Sequence, residues 1–252
     1  YRLVFGESDL MPGLIVDKYG PVLTVQSLTA GMDGLLDDVL QALVTVMNPE
    51  GIYLRNDSSF RTLEGLSTDK RLAYGTVPDP LIVTSHGLQF IVDVANGQKT
   101  GFYLDQENNR PLLKHYISPG ASVLDLFCYS AAWGMYAAAA GAEWVTAVDS
   151  SRSALALAES QAELNGMRDR FAFVKDNALD FLKKTHDRWD VVILDPPAYI
   201  KTRNQAKEGL KGYIDLNRRA LGKVNPGGIF VTCSCSHHLD GQGFEEVLQS
   251  AS

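Results

Sequence analysis

Three cysteines in 252 residues are too few for a disulfide framework, and none stands in the Cys-x-x-Cys spacing of a zinc site. That usage suits a reducing compartment, so a cytoplasmic protein is expected. Long apolar runs are also missing: stretches such as 191–194 and the alanine-rich run before Gly141 fall far short of the roughly 20 residues that cross a bilayer. No membrane partner is expected. The chain opens on Tyr1 without the charged, apolar and small-residue succession of a signal peptide, and it reads as a fragment of something longer. There is no internal repeat, and no low-complexity tract exceeds the four alanines at 137–140.

What is present describes a globular chain. Hydrophobic residues make up 45% and charged residues 21%, which excludes disorder and collagen. The formal net charge of −7 conceals a gradient. Residues 1–95 hold 6 basic against 12 acidic side chains, leaving 17 against 18 for residues 96–252. Within the second part, 198–224 carries seven basic residues and two acidic ones. Taken alone, such a run reads as a solvated helix face.

The pattern divides the chain into a small α+β domain over 1–95 and a larger domain over 96–252. Residues 13–28 read as a hairpin around Tyr19-Gly20-Pro21. Leu35, Leu36, Val39, Leu40, Leu43 and Val46 recur at helical spacing until Asn48-Pro49, and strand-like runs follow at 51–57, 81–84 and 88–94. From Ser122 onward, near-continuous apolar strands alternate with helices: SVLDLFC, a helix to Ala140, WVTAVD, a helix to Leu164, FAFVKD, WDVVILDPP and GIFVTCSC. This predicts a doubly wound, Rossmann-like α/β fold with a parallel sheet covered on both faces. Gly141 and Asn165-Gly166 are placed to cap the first two helices.

In such a sheet the ligand lies beyond the carboxyl ends of the strands. Acids recur there: Asp125 in the first strand, Asp149 at the end of the second, Asp176 after the third and Asp195 after the fourth. An acid at the second strand tip suits a ribose diol, and Ser150-Ser151 supplies a separate helix cap. The first turn, DLFCYSAAWG, lacks Gly-x-Gly-x-x-Gly, which argues against a pyrophosphate-bearing dinucleotide. S-adenosylmethionine, with an adenosine but no phosphates, fits both observations. The fourth strand runs into Asp195-Pro196-Pro197, a rigid exit. The fifth ends in Cys233-Ser234-Cys235-Ser236-His237-His238, where the two cysteines share a face. A metal held by these Cys and His residues would be cramped, and none is expected. Cys128 reads as packing.

These motifs resemble the class I S-adenosylmethionine-dependent methyltransferases of the ribosomal RNA large subunit methyltransferase I family. The most specific pieces are Gly97-Gln98-Lys99-Thr100-Gly101-Phe102-Tyr103-Leu104-Asp105-Gln106, Asp195-Pro196-Pro197 with Lys201 and Gly212-Tyr213, and Ser234-Cys235-Ser236. The resemblance implies a central α+β domain ahead of the catalytic domain, an RNA-binding PUA domain before both, and C-terminal strands that this chain lacks. It implies S-adenosylmethionine bound by Lys99, Thr100, Phe102, Asp125, Phe127, Tyr129, Ser130, Asp149, Ser150, Asp176, Asn177, Ala178, Asp195 and Pro196. The chain departs from the family at Ser130-Ala131-Ala132-Trp133, where glycines are common, and at Glu107, where arginine is common.

The chemistry implied is 5-methylcytosine formation in 23S rRNA. Carbon 5 of cytosine is too electron-poor to attack a sulfonium methyl unless a nucleophile first adds at carbon 6, and a thiolate is suited to that. Cys235 is the expected nucleophile with Cys233 in reserve, Asp195 bonds N3 or the exocyclic amine, and Lys201 assists the thiol or binds phosphate. Lys201, Arg203, Lys207, Lys211, Arg218 and Arg219 would grip RNA. A homodimer is a further expectation. Methylation at a base nitrogen, guanine N7 or an exocyclic amine, and a non-catalytic RNA-binding module are the alternatives.

Overall fold

The computed structural model describes residues 1–200 and 206–252. They form two compact units, Tyr1–Glu107 and Asn108–Ser252. The expected boundary at 95/96 falls short of this one, so the Gly97–Gln106 motif belongs to the first unit. Its contacts explain why: the Tyr19 hydroxyl meets Thr100 Oγ1 at 2.8 Å and donates to the Phe102 carbonyl, and the Phe90 and Phe102 rings pack at 5.2 Å.

In the first unit, β1 (Arg2–Phe5), β2 (Leu14–Tyr19) and β3 (Val22–Ser27) form an antiparallel meander. The β2–β3 hairpin turns at Gly20, whose φ of +57° lies in the left-handed region. After the short helix α1 (Ala30–Asp33), α2 (Leu36–Met47) turns Leu36 and Leu43 onto the sheet. Asn48, left-handed at φ +43°, ends it before Pro49. β4 (Gly51–Asn56) pairs parallel to β3. After the short helix α3 (Phe60–Leu63), β5 (Asp69–Gly75) closes the order β1-β2-β3-β4-β5. β6 (Leu81–Ser85) and β7 (Leu88–Val92) form a separate hairpin. The polar interior of this unit centres on Asp17, fully buried, which takes two hydrogen bonds at 2.9 Å from Arg2 and one from Thr100.

The second unit is doubly wound, as its strand pattern predicts. β8 (Ser122–Leu126), α4 (Ala132–Ala139), β9 (Trp144–Asp149), α5 (Arg152–Leu164), β10 (Phe171–Lys175), α6 (Ala178–Lys184), β11 (Trp189–Leu194), α7 (Ala206–Leu221), β12 (Val224–Thr232) and α8 (Gly241–Ala251) follow in turn. All pairs in the order β10-β9-β8-β11-β12 are parallel. Side chains alternate across the sheet. Leu124, Leu126, Val192 and Leu194 meet Leu182, Leu216 and Ala220 of α6 and α7. Asp125 points the other way and accepts from the Gly134 backbone of α4 at 2.9 Å. Gly166, at φ +65°, caps α5 as expected, whereas Gly141, at φ +112°, follows α4 outside the left-handed helical well. Asp190 joins three strands at the sheet's opposite end, accepting from Ser122 N and Oγ and from Asn225. The strand order reverses between β8 and β11, which puts the ligand crevice beside those two tips. No described helix is long and apolar enough to cross a membrane.

Removing the guanidinium that faces buried Asp17 tests the first unit's polar core. Arg2→Met is expected to lower stability by about 2–3 kcal/mol, less than a fully buried pair because Arg2 is partly exposed. Urea denaturation reads this, and adding Asp17→Asn should recover part of the loss.

Candidate active site at the carboxyl ends of the parallel strands

The turn leaving β8 is strained. Phe127, Tyr129 and Ala131 have φ of +57°, +49° and +54°, a conformation that costs a non-glycine residue about 1–2 kcal/mol. Ala131 takes this shape at the N-terminus of α4. The chain therefore builds the glycine-like loop without glycine. Asp149 helps to hold it, accepting from Tyr129 N at 2.9 Å and from Ser151 N at 2.8 Å. Ser151 caps α5 through Ala154 N, so Asp149 is not the cap. Two of the roughly four lone-pair positions of its half-buried carboxylate remain for a diol.

Three buried polar atoms around this turn have no protein partner: Asp125 Oδ1, Ser130 Oγ and Gln161 Oε1. Orphaned acceptors in a buried turn suit a ligand that brings its own donors and positive charge. Burial pushes the Asp125 carboxyl up to about 7; the Gly134 N–H opposes this, Asp195 adds to it, Arg110 opposes it and Asp149 adds to it. The fit to S-adenosylmethionine, which carries an ammonium and a sulfonium, is good on these grounds.

The remaining cofactor residues of the expectation divide by unit. Phe127 and Tyr129 are half-buried in the turn, Ser150 is exposed and Ala178 buried. Asp176 pairs with Lys184 at 2.9 Å, a contact that holds its carboxyl below the ordinary range. Asn177 caps α6, accepting from Leu179 N and Asp180 N. Lys99, Thr100 and Phe102 belong to the first unit, where Lys99 lies 5.8 Å from the Tyr103 ring and Thr100 donates to Asp17.

Beyond β11, two of the expected catalytic residues, Asp195 and Cys235, lie by the same exit segment. Asp195 is half-buried and accepts from the Trp133 indole at 3.0 Å. The exposed Cys235 points its thiol at the Pro196 carbonyl, 3.6 Å away. The hub that arranges this is Tyr213, fully buried on α7. Its hydroxyl meets Ser236 Oγ at 2.8 Å, receives Ser234 Oγ at 3.2 Å and receives Tyr199 N at 3.5 Å. Ser236 in turn accepts from Ile200 N. One phenol thus ties the segment after β11 to the segment after β12, with Cys235 between its two serines. Gly209 and Gly212 let α7 approach, because a Cβ there would lie 2.5 Å from Ile200 and 2.7 Å from Tyr199.

The other thiols differ. Cys233 is half-buried, and its backbone N–H continues the β11–β12 ladder to Leu194. Cys128 is buried, and burial pushes its thiol well above the ordinary range. Among the described residues no group of three His, Cys, Asp or Glu is disposed to hold a metal. Of the expected RNA contacts, Lys201 and Arg203 lie outside the described residues. Lys207 and Lys211 are exposed on α7. Arg219 pairs with Asp215 and Arg218 donates to the Ser250 carbonyl, roughly 16 Å along the helix from Lys207. A cavity of about 270 Å³ lies beside Asp190 and Gly228, at the other end of the strands, and one of about 330 Å³ between α7 and α8 is lined by Ile200 and His238.

Residues 61–247 match the S-adenosylmethionine-dependent methyltransferase family. Ribosomal RNA large subunit methyltransferase I of Aeromonas hydrophila is 38% identical over 257 residues, a match covering all of this chain and 64% of that protein. The chain spans about 64% of the length of the curated relatives it matches. A chain from Streptococcus mutans assigned as a SAM-dependent methyltransferase superposes with a TM-score of 0.85 at 24% identity, covering 100% of this chain and 65% of its own. The SAM-dependent methyltransferase of Agrobacterium tumefaciens gives 0.71 at 21%, covering 95% and 75%. At these identities the structures establish the fold.

Two outcomes follow from the geometry. Tyr213→Phe keeps the ring and removes the hub hydroxyl; stability is expected to fall by about 1–2 kcal/mol, and thiol labelling of Cys235, read by peptide mass spectrometry, to quicken relative to Cys233. Asp125 binds its proton more tightly folded than unfolded. Its contribution to stability is therefore complete below about pH 4, falls as pH rises toward about 7, and is level above that. The loss is at most on the order of 4 kcal/mol. Asp125→Asn should flatten this part of the pH–stability profile in chemical denaturation.

Proposed function

Because the chain belongs to the S-adenosylmethionine-dependent methyltransferases, we propose that it methylates carbon 5 of a cytosine in RNA, with 23S rRNA as the target. The observation that carries the reading is the thiol of Cys235 held against the carbonyl of Pro196, the residue that follows Asp195 in the chain. An acceptor and a nucleophile by one exit segment at the switch point of a parallel sheet form the minimum set for activating a pyrimidine ring. The relatives named ribosomal RNA large subunit methyltransferase I support the choice of RNA.

Asp149 would hold the ribose of S-adenosylmethionine, and Asp125 with Ser130 would face its amino-acid end. When bound, the cofactor supplies an electrophilic methyl carbon on a positively charged sulfur. The residues of the chain prepare the acceptor. The Cys235 thiolate bonds to carbon 6, and the ring's electron pair moves to carbon 5, which becomes nucleophilic. Asp195 accepts from the exocyclic amine and so orients the ring against the thiolate. Once the carbon 5–methyl bond has formed, a base removes the carbon 5 proton. The carbon 6–sulfur bond then breaks, restoring the aromatic ring and the thiolate. Lys207 and Lys211 would contact backbone phosphates of an unpaired segment from which the base is swung out. Lys201 and Arg203 join them in this proposal on sequence grounds alone, and the pairing of Arg218 and Arg219 within the unit makes them weaker contributors.

Fluorine at carbon 5 cannot leave as a proton, so RNA containing 5-fluorocytidine should trap the enzyme covalently. Mass spectrometry of the intact protein incubated with that RNA and S-adenosylmethionine is expected to find the adduct for the unaltered chain and for Cys233→Ala, and none for Cys235→Ala. Methyl transfer by Cys235→Ala at the normal rate would remove the covalent mechanism, and a product methylated at nitrogen would replace the reading.

A further inference from the structure

Trp133 was legible in the sequence only as a departure from the family's glycine-rich turn. In the fold it sits in the first turn of α4, 6% exposed, with its indole N–H on Asp195 Oδ2 at 3.0 Å. The neighbouring Gly134 N–H holds Asp125 Oδ2 at 2.9 Å, so two successive residues of one helix each engage a different acid of the cluster. The Arg110 guanidinium carbon lies 6.0 Å from the centre of the Trp133 ring, within the range of a cation–π contact. The ring is thereby fixed by packing, by charge and by its own donor.

An indole N–H can only donate. A carboxylate oxygen that receives it is held as an acceptor, and the plane of the carboxylate is fixed with it. In the ionised form both of its oxygens can only accept, so the Asp195 carboxylate meets a base as an acceptor. Cytosine presents an exocyclic amine donor at carbon 4, where uracil presents a carbonyl oxygen that would face the carboxylate acceptor to acceptor; uracil carries its donor at N3 instead, so discrimination requires the carboxylate to be held at the carbon 4 substituent and away from N3. Of the two contacts open to Asp195, N3 and the exocyclic amine, the amine is the one that matches: N3 of neutral cytosine is itself an acceptor.

We infer that Trp133 is a positioning residue that fixes the Asp195 carboxylate toward the exocyclic amine of the target base and so sets a preference for cytosine over uracil. The inference rests on the proposed carbon 5 chemistry and goes beyond it by assigning base choice to a residue that does not touch the base.

The test compares covalent trapping by 5-fluorocytidine and 5-fluorouridine RNAs of identical sequence, with S-adenosylmethionine present. Two variants remove the N–H: Trp133→Phe, and replacement of Trp133 by benzothienylalanine, which keeps the bicyclic shape. Each is expected to slow trapping of the cytidine RNA by about 10- to 100-fold, to lower the cytidine-to-uridine rate ratio by at least about tenfold, and to leave the concentration of RNA giving half-maximal rate little changed. Folding of each variant is checked by its thermal transition, and the isosteric variant answers the question if Trp133→Phe does not fold. A folded variant that keeps both the rate and the ratio of the unaltered chain overturns the inference alone. Absence of any adduct with the unaltered chain overturns the inference together with the carbon 5 reading.

Discussion

The position of Cys235 depends on one phenolic oxygen. A thiol at the end of an edge strand of the described sheet has few covalent neighbours to hold it, and an exposed loop would let it wander by more than the tolerance of bond formation. The chain answers by burying Tyr213 and directing its hydroxyl to Ser234 and Ser236 on one side and to the backbone after Asp195-Pro196-Pro197 on the other. A buried hydroxyl with several partners is costly to break, because any one loss leaves the others unsatisfied. The network joins the segments after β11 and β12 and backs the direct contact of the Cys235 thiol with the Pro196 carbonyl.

The acid cluster poses the opposite problem. Asp125, Asp149 and Asp195 approach one another at the tips of three strands, with Arg110 the cation that opposes their field at Asp125. Burial is the main reason that Asp125 holds its proton so far up the pH scale, and the neighbouring carboxylates add to it. The strained turn belongs to the same arrangement. Its left-handed residues let Tyr129 N reach Asp149 while Gly134 N reaches Asp125, so backbone strain is offset by hydrogen bonds to carboxylates that otherwise repel each other. A cationic ligand would relieve that repulsion, and the site is poised to receive one.

The alternation of apolar strands and helices was enough to specify the parallel sheet, because a strand buried on both faces leaves a composition that other arrangements do not. The strand-tip acids were legible for the same reason: topology alone decides which end of the sheet binds. β1 and β5 were missed. β1 is short, and β5 carries Lys70 and Arg71 on an edge, so neither shows the apolar alternation of an inner strand. The boundary between units was misplaced because the segment 97–106 is tied back by Tyr19 and Phe90, contacts that no local pattern announces. Trp133 stood out only as a large residue where a small one is common, and its hydrogen bond to a residue 62 positions away has no signature in sequence. Gly212-Tyr213 and Ser234-Cys235-Ser236 were noticed as motifs, but the reason they occur together is the hydroxyl network, a property of the folded chain.

The three cysteines show how the same side chain is given different chemistry by its surroundings. Cys128 lies in the acid cluster's own turn, yet burial and the nearby Asp125 and Asp149 keep its thiol protonated, and a protonated thiol is a poor nucleophile. Cys233 shares a face with Cys235 in the extended chain, but its backbone still belongs to the β11–β12 ladder, which limits its freedom to approach a substrate. Cys235 lies two residues on, where the ladder has ended, and it is exposed while remaining anchored on both sides by Ser234 and Ser236. A nucleophile needs access and a fixed position together. Burial supplies position without access and a free loop supplies access without position; the serine-flanked segment supplies both, and this distinguishes Cys235 from its two neighbours in composition.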